Sequence, residues 1–99
     1  MRPRPTALIT TDTAVQVGCL RALHEQRVGI PEHCSLVGVD NAMPSSVGPA
    51  ITAVVQPVTD LGATAAALLL QLIAGERPEP WPRVLHPVLV VGPSTAPPL

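Results

Sequence analysis

Apolar and small side chains follow one another without a polar break from Leu36 to Val39, and an acid and an amide, Asp40 and Asn41, close the run that Ser35 opens. A stretch that reads apolar on both faces predicts a strand buried between two layers of helices, the setting of a parallel sheet. Ligands of open parallel sheets gather just beyond the carboxyl ends of the strands, which is where Asp40 and Asn41 stand. Upstream, Thr6 to Thr10 reads as a short strand, and Thr11, Asp12 or Thr13 can cap a helix by accepting a bond from a free backbone N–H. That helix is expected from Thr13 to Arg27. Val15, Cys19, Ala22 and Leu23 form one stripe with Ala14, Val17, Leu20 and Arg21 beside it, an apolar arc wider than one sheet face requires. Either the helix is well buried, or it covers a sheet on one side and a second subunit on the other. Gly29 is the expected C-terminal cap, and Pro31 bars continuation. Strand, helix and strand in this order make a βαβ unit with a right-handed crossover. Both strands then finish on the same rim, which brings Asp12 and Asp40 to one edge.

Further along, 42–49 reads as a loop rich in Pro, Ser and Gly, and Ile51 to Gln56 as a third strand stopped by Pro57. A second helix is expected from Leu61 to Ala74, capped by Thr59 or Asp60 and closed by Gly75. Leu68, Leu69, Leu70, Leu72 and Ile73 make it apolar nearly all round. Burying each such side chain is worth about 1.5–3 kcal/mol, so this helix is not expected to sit exposed in a stable monomer. Residues 76–87 form a proline-broken connection, Val88 to Val91 a last strand, 1–5 a disordered lead-in, and 92–99 a frayed tail.

Composition narrows the choices. In 99 residues the only aromatic is Trp81, so a core must be built from aliphatic side chains, and a chain this short is at most one small domain or a piece of a larger one. The six basic residues are all Arg and are scattered, with a net charge of −1; a clustered basic face for nucleic acid is missing, so the chain by itself is not expected to bind DNA. The start carries no signal-peptide pattern and the longest apolar run is too short to span a membrane. Two cysteines, Cys19 and Cys34, without a secretion signal fit a reduced cytoplasmic setting. His24, His33, His86 and the cysteines match no zinc-binding spacing, and no phosphate-cradling loop or nucleophile elbow is present. No metal, cofactor or enzymatic role is expected.

The order of motifs resembles the lac-repressor (LacI/GalR) family of bacterial transcription regulators. Leu8-Ile9-Thr10-Thr11-Asp12, then Gly18 to Glu25, then Val28 to Asn41, then Pro49 to Gln56, Leu61-Gly62, and Leu89-Val90-Val91 followed by Ser94-Thr95 fall in the family's sequence. The stretch from Gly29 to Asp40 is the most specific. The resemblance implies an incomplete α/β lobe of the periplasmic-binding-protein-like (type I) kind, built on a parallel sheet. Residues 6–92 would be the C-terminal portion of an effector-binding and dimerisation domain, with a hinge near 52–57 and helix 61–74 belonging to the other lobe. It further implies a small effector, sugar-like or nucleobase-like, held in a cleft between lobes, a homodimer, and DNA contact only through a helix-turn-helix head that this chain lacks.

Residue by residue, the resemblance makes Asp40 the effector-binding acid, Asp12 the polar residue ending the preceding strand, and Gln56 a hinge-side residue facing the cleft. Val39 stands where the family carries an aromatic near the effector, and Asn41 where it carries a second acid. Val17 and Leu20 fall on the helix used at the dimer interface. Each also has a plainer explanation: Asp40 as a turn residue after a strand, Asp12 as a helix cap, Gln56 as a hinge residue bonded to backbone. A solute-binding protein of an uptake system and a remnant that only dimerises are the competing roles.

Overall fold

The computed structural model describes residues 4–40 and 50–98. Asn41 and the 42–49 loop, the first three residues of the lead-in and Leu99 lie outside them. The chain forms two compact units, one of residues 1–55 with 89–99 and the other Gln56–Val88.

The first unit is built on strands β1 (Ala7–Thr10), β2 (Ser35–Val39) and β3 (Thr52–Val55), with helix α1 (Thr13–Glu25) between β1 and β2. A short strand β4 (Val88–Val90) completes a sheet of order β1-β2-β3-β4. β1 runs parallel to β2 with Ala7 opposite Ser35 and Thr10 opposite Gly38, and β2 runs parallel to β3 with Val39 opposite Val54. The expected βαβ unit is therefore present, and its two strands end together.

Among the described residues, a helix covers only one face of the central strands. α1 lies against β1 and β2 on the face that carries Leu36 and Gly38, because an added Cβ on Gly38 would run into the Gln16 side chain. Leu36 is fully buried there. Side chains alternate along a strand, so Val37 and Val39 point the other way, where they are half-buried, and Ile9 is 73 % exposed. The expectation of two covering helical layers around β2 is corrected accordingly.

α1 differs from its expected packing in one respect that matters for the site. Its single buried residue is Gln16, and Cys19, Leu20 and Leu23 flank it half-buried. That spacing is one helical stripe, but it is centred on an amide rather than on Val15, which is exposed. The helix ends with Gln26 as cap and Arg27 in the left-handed region at φ 57°, its N–H bonded to the His24 carbonyl. Gly29 is thus not the cap.

The tail does not fray. Ser94 is fully buried: its hydroxyl accepts from the Thr52 N–H at 2.8 Å and donates to the Leu36 carbonyl, while its own carbonyl accepts from the Leu36 N–H at 2.9 Å. Next to it, the Ser35 hydroxyl donates to the Ala96 carbonyl and accepts from the Ala96 N–H, each at 3.1 Å. The Thr52 hydroxyl exchanges bonds of 3.0 and 2.9 Å with the Gly92 backbone. Gly92 is required at this crossing, since a Cβ there would lie 2.7 Å from the Ala50 carbonyl oxygen. Polar groups at the amino ends of β2 and β3 that would otherwise be buried without partners are satisfied by this segment.

In the second unit, helix α2 runs Val58–Ile73, starting a turn earlier than Leu61. Its N-cap is Pro57, with no side-chain capping bond, so neither Thr59 nor Asp60 caps it. No residue of α2 is buried, and Leu69, Leu70, Leu72 and Ile73 are more than half exposed.

Candidate functional site

The parallel register sets the geometry of the rim. Thr10 and Gly38 are paired across β1 and β2, so Asp12 and Asp40 each follow two residues beyond a shared rung, at the carboxyl ends. Asp12 is in extended conformation at φ −152°, and its Oδ1 accepts the Val15 N–H at 2.8 Å, the bond that starts α1. Its carbonyl accepts the Gln16 N–H at 3.0 Å. The plainer explanation of Asp12 as a cap is therefore fulfilled, with the side chain exposed to solvent.

Asp40 is held from two elements. Its N–H donates to the Val54 carbonyl of β3 at 2.8 Å, and its carbonyl accepts from Gln16 Nε2 of α1 at 3.0 Å. Between those bonds the residue sits in the left-handed region at φ 60°. A non-glycine residue adopts that region at a steric cost, lowest for Asp and Asn, and persists there when its surroundings fix it.

Val39 lies one residue before, half-buried on the face opposite α1. Gln56 opens the second unit directly after β3; it is exposed and its carbonyl accepts the Val58 N–H at 2.9 Å. On α1, Val17 is 46 % exposed and Leu20 half-buried. The structure thus brings Asp12, Asp40 and Val39 to one end of the sheet unit. The residue that sequence reasoning missed is Gln16, which grips both acids by their backbone carbonyls. A lone amide inside an apolar helical arc was its one visible signal.

A cleft of about 350 Å³ occupies the opposite end of the same strands, lined by residues that include Arg4, Leu8, Leu23, Arg27, His33 and Cys34. Burial, and secondarily Cys34 nearby, pushes the Cys19 thiol above its ordinary pKa, which keeps it protonated and weakly nucleophilic. Among the described residues no cluster of three or more His, Cys, Asp or Glu could hold a metal ion, and no helix is long and apolar enough to cross a membrane.

With a parallel sheet and a polar rim in hand, the comparison with known proteins is decisive: residues 1–95 match the family of periplasmic binding protein-like domains. The chain belongs to that family. The structure also superposes on a LacI family transcriptional regulator from Bifidobacterium animalis subsp. lactis with a TM-score of 0.82 and 31% identity, covering 100% of this chain and 36% of that one. On the transcription regulator CcpA of Lactococcus lactis the TM-score is 0.81 at 30% identity, over 92% and 34% of the two chains. In sequence, the chain is 36% identical over 94 residues to the transcriptional repressor PurR of Escherichia coli O1:K1 / APEC, spanning 94% of this chain and 28% of the relative. It is 35% identical over 89 residues to a probable opine utilization operon repressor of Rhizobium rhizogenes, spanning 89% of this chain and 45% of that protein. The resemblance to LacI/GalR regulators is borne out, and these relatives are regulators rather than enzymes. The chain spans less than half the length of each.

Proposed function

We propose that this domain is the effector-sensing and dimerising portion of a LacI-type transcriptional regulator. Asp40 accepts hydrogen bonds from hydroxyl or amide groups of a small metabolite, sugar-like or nucleobase-like, with Asp12, Val39 and Gln56 lining the rest of the cleft. The observation that carries this reading is the pair of acids following adjacent parallel strands on one rim, Asp40 fixed there through its backbone. The boundary between the compact units falls between Val55 and Gln56, inside the stretch proposed as the hinge, and α2 would then belong to the other lobe. Effector binding biases the arrangement of two lobes, and a homodimer formed through the Val17 and Leu20 face of α1 passes that bias to DNA-binding heads elsewhere in the regulator, in the cytoplasm.

The exposed apolar residues of α1 and α2 favour a second reading, a dimerising piece that senses nothing. Light scattering coupled to gel filtration, with a thermal-shift screen against sugars such as D-ribose and nucleobases such as adenine, separates the two. Sensing predicts a dimer whose melting rises with one compound class, and a dimer that responds to neither class contradicts it.

A further inference from the structure

We propose that Gln16 is the positioning residue of the rim: its side-chain amide, together with the clearance left by Gly38, fixes Asp40 in its left-handed turn. The functional weight of this rests on the reading of Asp40 as the effector contact, whereas the clamp itself stands on geometry alone.

Three observations converge on it. Gln16 is fully buried although it is polar and belongs to a helix with no other buried residue, and a buried amide is retained where its bonds are made. Its Nε2 donates to the Asp40 carbonyl at 3.0 Å while its backbone N–H donates to the Asp12 carbonyl at 3.0 Å, so one residue holds the chain at both strand ends. Gly38 completes the device. An added Cβ at that position would collide with the Gln16 amide and come within 3.0 Å of the Asp40 carbonyl oxygen. The glycine of β2 is thus the slot through which a long side chain from α1 reaches the rim.

The second tether of Asp40, its N–H to the Val54 carbonyl, is an ordinary extension of the β2–β3 ladder. That bond fixes where the residue starts, and the Gln16 bond fixes how it turns. With both in place the direction of the acid is set before any ligand arrives, the preorganisation that cuts the cost of binding. Gln16 and the exposed Val17 are neighbours on α1, so a shift of this helix moves the Asp40 carbonyl directly.

Amide hydrogen exchange on the full chain tests the clamp without any ligand, so its outcome is independent of whether Asp40 binds an effector. In the wild-type chain the Gln16 side-chain N–H protons are expected to exchange about tenfold or more slowly than those of exposed Gln26; equal rates overturn the proposal. The Gln16→Met variant keeps the length and removes the donor. The expected result is exchange at the Asp40 amide faster by about tenfold, with the Leu36 amide unchanged. In an Asp40→Gly background, where the left-handed turn carries no steric cost, Gln16→Met is expected to change the position-40 amide little. An unaltered Asp40 amide, or equal acceleration at Leu36 as in general loosening, contradicts the proposal.

Discussion

The two compact units are built from equally apolar sequence but end in opposite states. In the sheet unit, Leu36, Cys34, Ile51 and Ala53 are buried, and the polar atoms among them, on Ser94, Thr52 and Gln16, are matched to backbone partners. In the unit Gln56–Val88, α2 carries five leucines in 16 residues, yet none of the helix's residues is buried. Hydrophobic content therefore does not decide burial; a matching surface does. The sheet unit carries its own matching surface in α1 and the 92–96 segment, whereas the apolar side chains of α2 stay exposed. That contrast fits a chain spanning 28% to 45% of its curated relatives.

The same truncation in both units is the largest test. Leu36→Ala, at a fully buried site, is expected to lower stability by about 2–5 kcal/mol through lost contact and cavity, whereas Leu70→Ala, at a site 66 % exposed, stays within about 0.5 kcal/mol. Urea unfolding of each variant gives both numbers. Similar losses at the two sites would erase the distinction.

Next in size is the polar seam at the amino ends of the strands. Ser94→Ala removes the acceptor of the buried Thr52 N–H and the donor to Leu36. Leaving such a group unpaired costs about 1–3 kcal/mol, and a denaturant midpoint equal to wild type would mean that the segment is dispensable.

A smaller loss than at Ser94 is expected at Asp12, an exposed cap. Asp12→Ala is expected to cost about 1 kcal/mol of helix stability, readable as faster exchange at the Val15 amide with Leu36 unaffected.

Much of this was legible in order along the chain. The unbroken apolar run of β2 and the capping residues before α1 were enough for a βαβ unit, and that topology alone puts two acids on one rim. Local rules failed where a distant partner or an alternative stop decided the outcome. Gly29 looked like the end of α1, but Arg27 took the left-handed position two residues earlier, stabilised by its bond to His24. The N-cap of α2 is Pro57, at φ −78° and ψ 66° and with no side-chain capping bond, a start that the nearby Thr59 and Asp60 obscure. The bonds of Ser94 and Gln16 were hidden for a different reason. Their partners lie 58 and 24 residues away: a serine in a Pro-rich tail announces no buried bond, and a lone glutamine in an apolar arc marks its own position without naming its partner.

The most direct test of the sensor reading is the affinity of the intact regulator for the compound that raises its melting temperature, measured by calorimetry with wild type and Asp40→Ala. Loss of an acid that accepts ligand hydrogen bonds is expected to weaken binding at least about tenfold, or about 1.4 kcal/mol, with the fold retained. Equal affinity in the two proteins would contradict the assignment of the rim as the effector site.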